Sequence, residues 1–257
     1  MTTAVKFKCS YTLDQRVDKE LANFNQETYR FLQSIFASGY KVRYEKDGMP
    51  NAVDYFLLYN SALLYGAADA VLTLVLHNLG REARILERQA FEYWVRATHY
   101  ASNPDAARLA LYSTPFQEKR ILDDLGYDKN QKRYRRLARI CQEVQQKVPD
   151  AENYREPPLR AIINPKGDPD LNRFYALHYR VSSQMAHATS AGVGGVWNTD
   201  GLSFDSRQKN PNYTLVNVTI YLLAFLTLLS EHMSIDISAK LSASKERWNR
   251  IQQTLKW

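Results

Sequence analysis

The spacing of apolar residues is the feature that most limits the folds open to this chain. Over residues 13–36, apolar side chains recur at steps of three and four residues, which is the period of one face of an α-helix. The same period continues through most of the sequence, and no stretch shows the alternation typical of a β-strand. We therefore expect an all-α protein.

The most apolar stretch, residues 215–229, carries no charge but includes Asn217, Thr219 and Thr227. A membrane-spanning helix needs roughly 20 mostly apolar residues, and Glu231 follows this stretch closely. We expect a buried central helix here and no membrane span.

Turn and cap residues divide the chain into about seven helices. A capping box at Thr12 starts the first helix, and Asn51, Asn103 and Asp168 are placed to cap later ones, while Gly126 ends another. We predict one domain over 1–257, a single bundle of these helices. Its parts are an N-terminal helix at 12–38, a core at about 51–148 and 170–237, a polar excursion such as a hairpin at 196–212, and a C-terminal helical tail at 238–257.

Charge and cysteine usage favour a cytoplasmic protein with an anionic partner. Lys and Arg outnumber Asp and Glu by 34 to 27, which gives a net charge of +7. A basic surface is typical of proteins that contact nucleic acid or anionic membranes. Cys9 and Cys141 are too far apart for a metal site, and the N-terminus lacks an apolar signal core. We expect no cofactor and no bound metal.

A strongly basic helix at about 129–148 is the first candidate for a functional surface. It is the expected contact for RNA. Its basic residues are Lys132, Arg133, Arg135, Arg136 and Arg139.

A second candidate lies on the third helix, where Arg84, Arg88 and Glu92 are four residues apart and Glu87 neighbours Arg84 on the same face. One interpretation is a solvated stripe of ion pairs, which stabilises a surface only slightly. The other is a buried or half-buried network that lines a cleft, where an arginine holds phosphate.

A third candidate is the series Tyr179, Ser183 and His187, which follows four-residue steps, with Arg180 beside it. His187 is able to act as a general acid or base, Arg180 to stabilise negative charge and Ser183 to orient the imidazole. The alternative is that Ser183 and His187 are hydrogen-bonded core groups that join helices.

These motifs resemble those of known helical proteins. Arg84-Ile-Leu-Glu87 followed by Tyr179-x3-Ser183-x3-His187 is similar to a group of bacterial helical proteins defined as a domain of unknown function. Some members of that group look like abortive-infection or phage-defence proteins. The resemblance covers roughly residues 50–235.

The pair Arg180-x6-His187 also resembles the signature of HEPN domains, which are all-α and often dimeric. Many of them are metal-independent ribonucleases, in which the Arg and His of two protomers meet in one cleft. This resemblance implies a HEPN-like up-down core with extra helices. It also implies that Arg180 stabilises the phosphate and that His187 assists attack by the RNA 2′-hydroxyl. Val181 stands where that superfamily commonly has a polar residue.

Besides membrane association through residues 213–257, two functions therefore stay open. The first is a non-catalytic binding or assembly component, of a phage-defence or stress system, in which Arg84, Glu87, Arg88, Tyr179 and Ser183 form a polar network. The second is a HEPN-like RNA endonuclease that uses Arg180 and His187. The expected partners are RNA, another protein and further copies of the chain.

Overall fold

Helices with the predicted period build the described part of the chain. The computed structural model describes residues 14–37, 41–46, 48–176, 179, 197–198, 201–202, 210–233 and 235–255. Within these ranges, seven helices have at least 16 residues: α1 (Lys19–Ala37), α2 (Ala52–Leu76), α3 (Gly80–Ser102), α4 (Pro104–Asp124), α5 (Lys132–Lys147), α8 (Asn212–His232) and α9 (Ser238–Thr254). The shorter ones are a 3₁₀ helix (Pro149–Asn153), α6 (Leu159–Ile163) and α7 (Pro169–Tyr175). The prediction of an all-α bundle is confirmed.

Helix α8 lies at the centre of the larger core, as expected for residues 215–229. It packs against α1, α2 and α3, and α2 and α3 pack along each other. Tyr221, Leu222 and Phe225 of α8 are fully buried, because the uncharged stretch at 215–229 has no charged face to turn to solvent.

Among the residues that the structure describes, two helices are long and apolar enough to cross a membrane, namely α2 and α8. In the bundle, 44% of the apolar window of α2 and 72% of that of α8 are buried. Core helices of soluble proteins have the same length and composition, so the expected lack of a membrane span stays a prediction.

A smaller core joins α4, α5 and the 3₁₀ helix, which pack on one another. Tyr134, Leu137, Cys141 and Val144 of α5 face this core. It lies beside the larger cluster, to which α4 connects it through contacts with α2 and α3.

Three of the predicted helix ends are confirmed. The side chain of Asn51 accepts a hydrogen bond of 3.0 Å from the backbone N–H of Asp54, and Asp168 accepts one of 2.7 Å from Asp170. Gly126 follows α4 with a φ of 64°, the left-handed conformation that glycine adopts at helix ends.

The predicted start of the first helix is wrong for the described residues. The helix begins at Lys19, where Asp18 caps it by accepting a hydrogen bond of 2.9 Å from the N–H of Leu21. Val17 is buried but lies before the helix. The apolar spacing in the sequence therefore begins earlier than the helix does. Thr12 lies outside the described residues.

The prediction that the side chain of Asn103 caps α4 is wrong. Its Nδ2 donates a hydrogen bond of 2.8 Å to the carbonyl of His99, and α4 begins at Pro104. The preset φ of a first-turn proline favours the helix without that cap.

The described part of the C-terminal region contains a strand pair and a helix. Trp197–Asn198 pairs antiparallel with Gly201–Leu202, so the excursion at 196–212 contains a short hairpin. Helix α9 docks on the bundle, where Trp248 stacks on Phe24 with 6.0 Å between ring centroids.

Candidate functional site

Glu87 is a carboxylate sealed inside the bundle. It projects from the side of α3 that packs on α8, together with the buried residues Ala83 and Phe91, and its own exposed fraction is 0%. Arg84, one turn earlier on α3, donates a hydrogen bond of 3.1 Å from Nη1 to Oε2 of Glu87. Asn217 of α8 donates one of 2.6 Å to Oε1. The carboxylate therefore links two helices that are distant in sequence.

Burial sets the ionisation of this carboxyl group. Removal from water raises the pKa of Glu87 from 4.5 to about 7, against the lowering effects of the Arg84 charge and of hydrogen bonds from Asn217 and Thr214. A pKa near neutrality is common in active sites. Here the carboxylate has no exposed surface, so a substrate does not reach it in this conformation.

Arg84 is enclosed as well. Only 8% of the residue is exposed, and its guanidinium lies 5.0 Å from the centre of the Tyr213 ring. The solvated ion-pair stripe considered for Arg84 and Glu87 is therefore not what the structure contains. The two side chains are buried and hydrogen-bonded to each other, and Glu87 also accepts a hydrogen bond from α8.

Arg88 and Glu92, the other members of the stripe, turn away from this pair. Arg88 lies 4.6 Å from the centre of the Tyr179 ring and donates a hydrogen bond of 2.8 Å to the Tyr179 hydroxyl. Glu92 accepts a hydrogen bond of 3.0 Å from Arg96. The arginine and tyrosine singled out by sequence thus form a contact between α3 and the segment that follows α7.

The remaining members of the third candidate are not placed by the structure. Arg180, Ser183 and His187 lie outside the described residues. The proposed catalytic pair and the orienting serine therefore stay predictions.

Helix α5 presents its basic residues to solvent. Lys132, Arg135, Arg136 and Arg139 lie on the side opposite the buried stripe, and all are exposed, as is Arg133 at the edge of this face. We call these five residues the α5 basic face.

Two members of the α5 basic face have acidic neighbours. Arg133 donates a hydrogen bond of 2.8 Å to Glu118, and Arg139 lies 3.5 Å from Glu143. Lys132, Arg135 and Arg136 have no ion-pair partner among the described residues. Three cationic groups are thus available to an anionic partner.

Sequence reasoning missed Asn217 and Tyr213, the groups of α8 that enclose the buried pair. The available signal was an amide within an otherwise apolar helix, because a buried amide needs a hydrogen-bond partner. The identity of that partner depends on how α8 is rotated against α3.

Neither metal chemistry nor similarity to known proteins adds to this site. The described residues contain no group of three or more His, Cys, Asp or Glu side chains arranged to hold a metal ion. No protein-family model matches the chain, and no significant match was found among curated proteins or solved structures.

Proposed function

We propose that this chain is a non-catalytic helical protein that binds RNA through the α5 basic face. The observation that carries the proposal is the placement of five exposed cationic side chains on one helix whose other side is fixed to its own core. Electrostatic attraction to backbone phosphates supplies most of the affinity of proteins that bind nucleic acid without sequence preference.

The geometry of α5 suits a phosphate backbone. A rise of 1.5 Å per residue puts Lys132 and Arg139 about 10.5 Å apart along the helix axis, with Arg135 and Arg136 between them. Long basic side chains spaced along such a line are able to contact successive phosphates of one strand. Arginine also binds phosphate with two parallel hydrogen bonds.

A membrane surface fits α5 less well than RNA does. Helices that lie on membranes insert an apolar side between the lipids. The apolar side of α5, with Tyr134, Leu137 and Cys141, is buried against α4 and the 3₁₀ helix. An anionic vesicle that approached α5 would contact only its charged side chains.

The buried network supports a non-catalytic role. Glu87 has a pKa near 7 but no access to solvent, and Asn217 and Arg84 occupy its oxygens. We infer that this network fixes how α3 and α8 pack and takes no part in binding.

The test measures RNA affinity as a function of salt. Fluorescence anisotropy with a short single-stranded RNA is compared for the wild type and for a triple variant, Lys132→Ala with Arg135→Ala and Arg136→Ala. Loss of three phosphate contacts is expected to weaken binding at least about 10-fold and to reduce the slope of log K against log salt by about 2.

A matched variant controls for net charge. Lys166→Ala, Lys245→Ala and Arg250→Ala together remove the same charge from exposed positions outside α5. This variant is expected to keep the salt slope of the wild type. Equal losses in both variants would show that overall charge, and not the α5 basic face, attracts RNA.

The integrity of the RNA is followed in the same samples. The proposal predicts intact RNA. Cleavage without added metal that disappears in His187→Ala would contradict the non-catalytic role and support the HEPN-like ribonuclease instead.

A further inference from the structure

A cleft of about 360 Å³ lies between α2, α3 and α4, and of its lining residues the sequence motifs include only Glu92. Its volume is within the range of pockets that hold small molecules. Aromatic and charged side chains form its walls. Those that matter for its chemistry are Phe56, Tyr59, Glu92, Arg96, Tyr100 and Glu156.

The charged groups of the cleft are held by one another. Arg96 forms ion pairs of 3.0 Å with Glu92 and 2.5 Å with Glu156. The hydroxyl of Tyr100 donates a hydrogen bond of 2.5 Å to the same oxygen of Glu156. This network fixes both carboxylates in place before a ligand arrives.

The cleft is nevertheless net negative. Two carboxylates surround one guanidinium, and Arg96 and Tyr100 engage only Oε1 of each glutamate. Oε2 of Glu92 and of Glu156 has no donor among the described residues. The side chain of Glu156 is 41% exposed, so a ligand is able to reach it.

The aromatic walls favour the same sign of ligand. Phe56 stacks on Tyr100 with 4.2 Å between ring centroids, and Tyr59 stands at the rim with 52% of its surface exposed. The face of an aromatic ring attracts a cation, and rings combined with carboxylates are a recurring way to bind quaternary ammonium groups. An anion would meet two carboxylates, and a neutral ligand would supply no positive charge to their Oε2 atoms.

We propose that this cleft binds a small organic cation of the quaternary ammonium class. The carboxylates of Glu92 and Glu156 balance its charge, and the exposed ring of Tyr59 contacts its methyl groups. The cleft lies on the side of α4 that carries Ser113 and Gln117, and it shares no residue with the α5 basic face.

The test is calorimetric titration of the full chain with tetramethylammonium, choline and benzyltrimethylammonium. Choline is compared with its uncharged isostere, in which a carbon atom replaces the quaternary nitrogen. At least one cation is expected to bind at millimolar concentration or tighter, with the isostere at least about 10-fold weaker. No binding of any of the three cations, or equal binding of the isostere, would overturn the proposal.

Variants localise the binding. Tyr59→Ala changes an exposed rim residue and is expected to weaken the cation about 10-fold without loss of folding. Tyr44→Ala, at a position that is 72% exposed and outside the cleft, is its control.

Glu156→Gln is expected to weaken binding of the cation by a similar factor, and Glu246→Gln, at an exposed position of α9, is expected to leave binding unchanged. Thermal melting shows whether each variant is folded. Unchanged affinity in folded Tyr59→Ala would show that the cation binds elsewhere. The same conclusion would follow if Tyr44→Ala and Glu246→Gln lost as much affinity as the cleft variants. Either result would refute the proposed site.

Discussion

At the scale of single residues, the competition at Glu87 shows which effect dominates in this core. Arg84 and Asn217 both favour the charged carboxylate, yet burial raises its pKa to about 7. The loss of hydration therefore outweighs one ion pair and the hydrogen bonds. A buried ion pair of this kind is poor evidence for stability and better evidence for a fixed arrangement of helices.

Glu87 predicts an unusual dependence of stability on pH. Its pKa is about 7 in the folded protein and 4.5 in the absence of structure. Between these values the folded protein holds one more proton than the unfolded chain, so the free energy of unfolding falls as pH rises through this window. The expected loss is up to about 3 kcal/mol. Below and above the window this residue contributes no slope.

Glu87→Gln isolates this effect, because it removes the titrating proton and keeps an oxygen for Asn217. Urea unfolding across the window is expected to show that the free energy of unfolding of the wild type, minus that of the variant, declines with pH. Glu246→Gln, at an exposed position of α9, should give a difference that is constant with pH. A difference for Glu87→Gln that grows with pH would mean that Arg84 keeps the carboxylate charged.

The separation of two partners along the sequence decides whether their contact in this site could be predicted from the sequence. Arg84 and Glu87 are three residues apart on a helix, so their contact could be predicted from the period alone. Asn217 is 130 positions from Glu87, and its contact depends on the rotation of α8 against α3. Periodicity identifies which side of a helix is apolar, but not which buried polar groups of two helices meet.

At the scale of elements, local signals predicted helix ends well where the cap is a short-range hydrogen bond. Asn51 and Asp168 cap as expected, because each bonds an N–H two or three residues ahead. The predicted start of α1 was wrong because Val17, which precedes the helix, is buried by tertiary packing. The fold class survived this error, since the period continues over residues 19–37.

Two glycines give a test of backbone conformation with the same chemical change. Gly126 has a φ of 64°, whereas Gly66 lies within α2, and a Cβ at either position would meet no atom within 4 Å. Gly126→Ala is expected to destabilise the protein by about 1 kcal/mol, because a Cβ strains the left-handed conformation. Gly66→Ala is expected to stabilise it by about 0.5–1 kcal/mol.

Urea unfolding of both variants measures these changes. Since neither methyl group displaces a neighbour, packing contributes little to either value. Shifts of the same sign at Gly66 and Gly126 would refute the assignment of the end of α4 to a left-handed glycine.

At the scale of the whole molecule, the difference in size between the core around α8 and the core beneath α5 has a consequence for dynamics. Helix α5 packs on α4 and the 3₁₀ helix, and the cluster beneath it is much smaller than the one around α8. A region with fewer buried apolar contacts opens at a lower free energy than the whole protein unfolds. The surface proposed to bind RNA thus rests on the less stable part of the bundle.

Cys141 reports on this opening, because it lies in the smaller core with 6% of its surface exposed and its burial raises the pKa of the thiol. In a Cys9→Ser background, its labelling by a thiol reagent is expected to proceed through an opening about 2 kcal/mol or more below the free energy of global unfolding. Urea should accelerate the labelling of Cys141 only weakly, since the local opening exposes little surface.

The control carries Cys9→Ser, Cys141→Ser and Ala68→Cys, which puts the thiol in the larger core at a position with no exposed surface. That thiol should react only on global unfolding, and an identical urea dependence for both cysteines would show that the two cores unfold together.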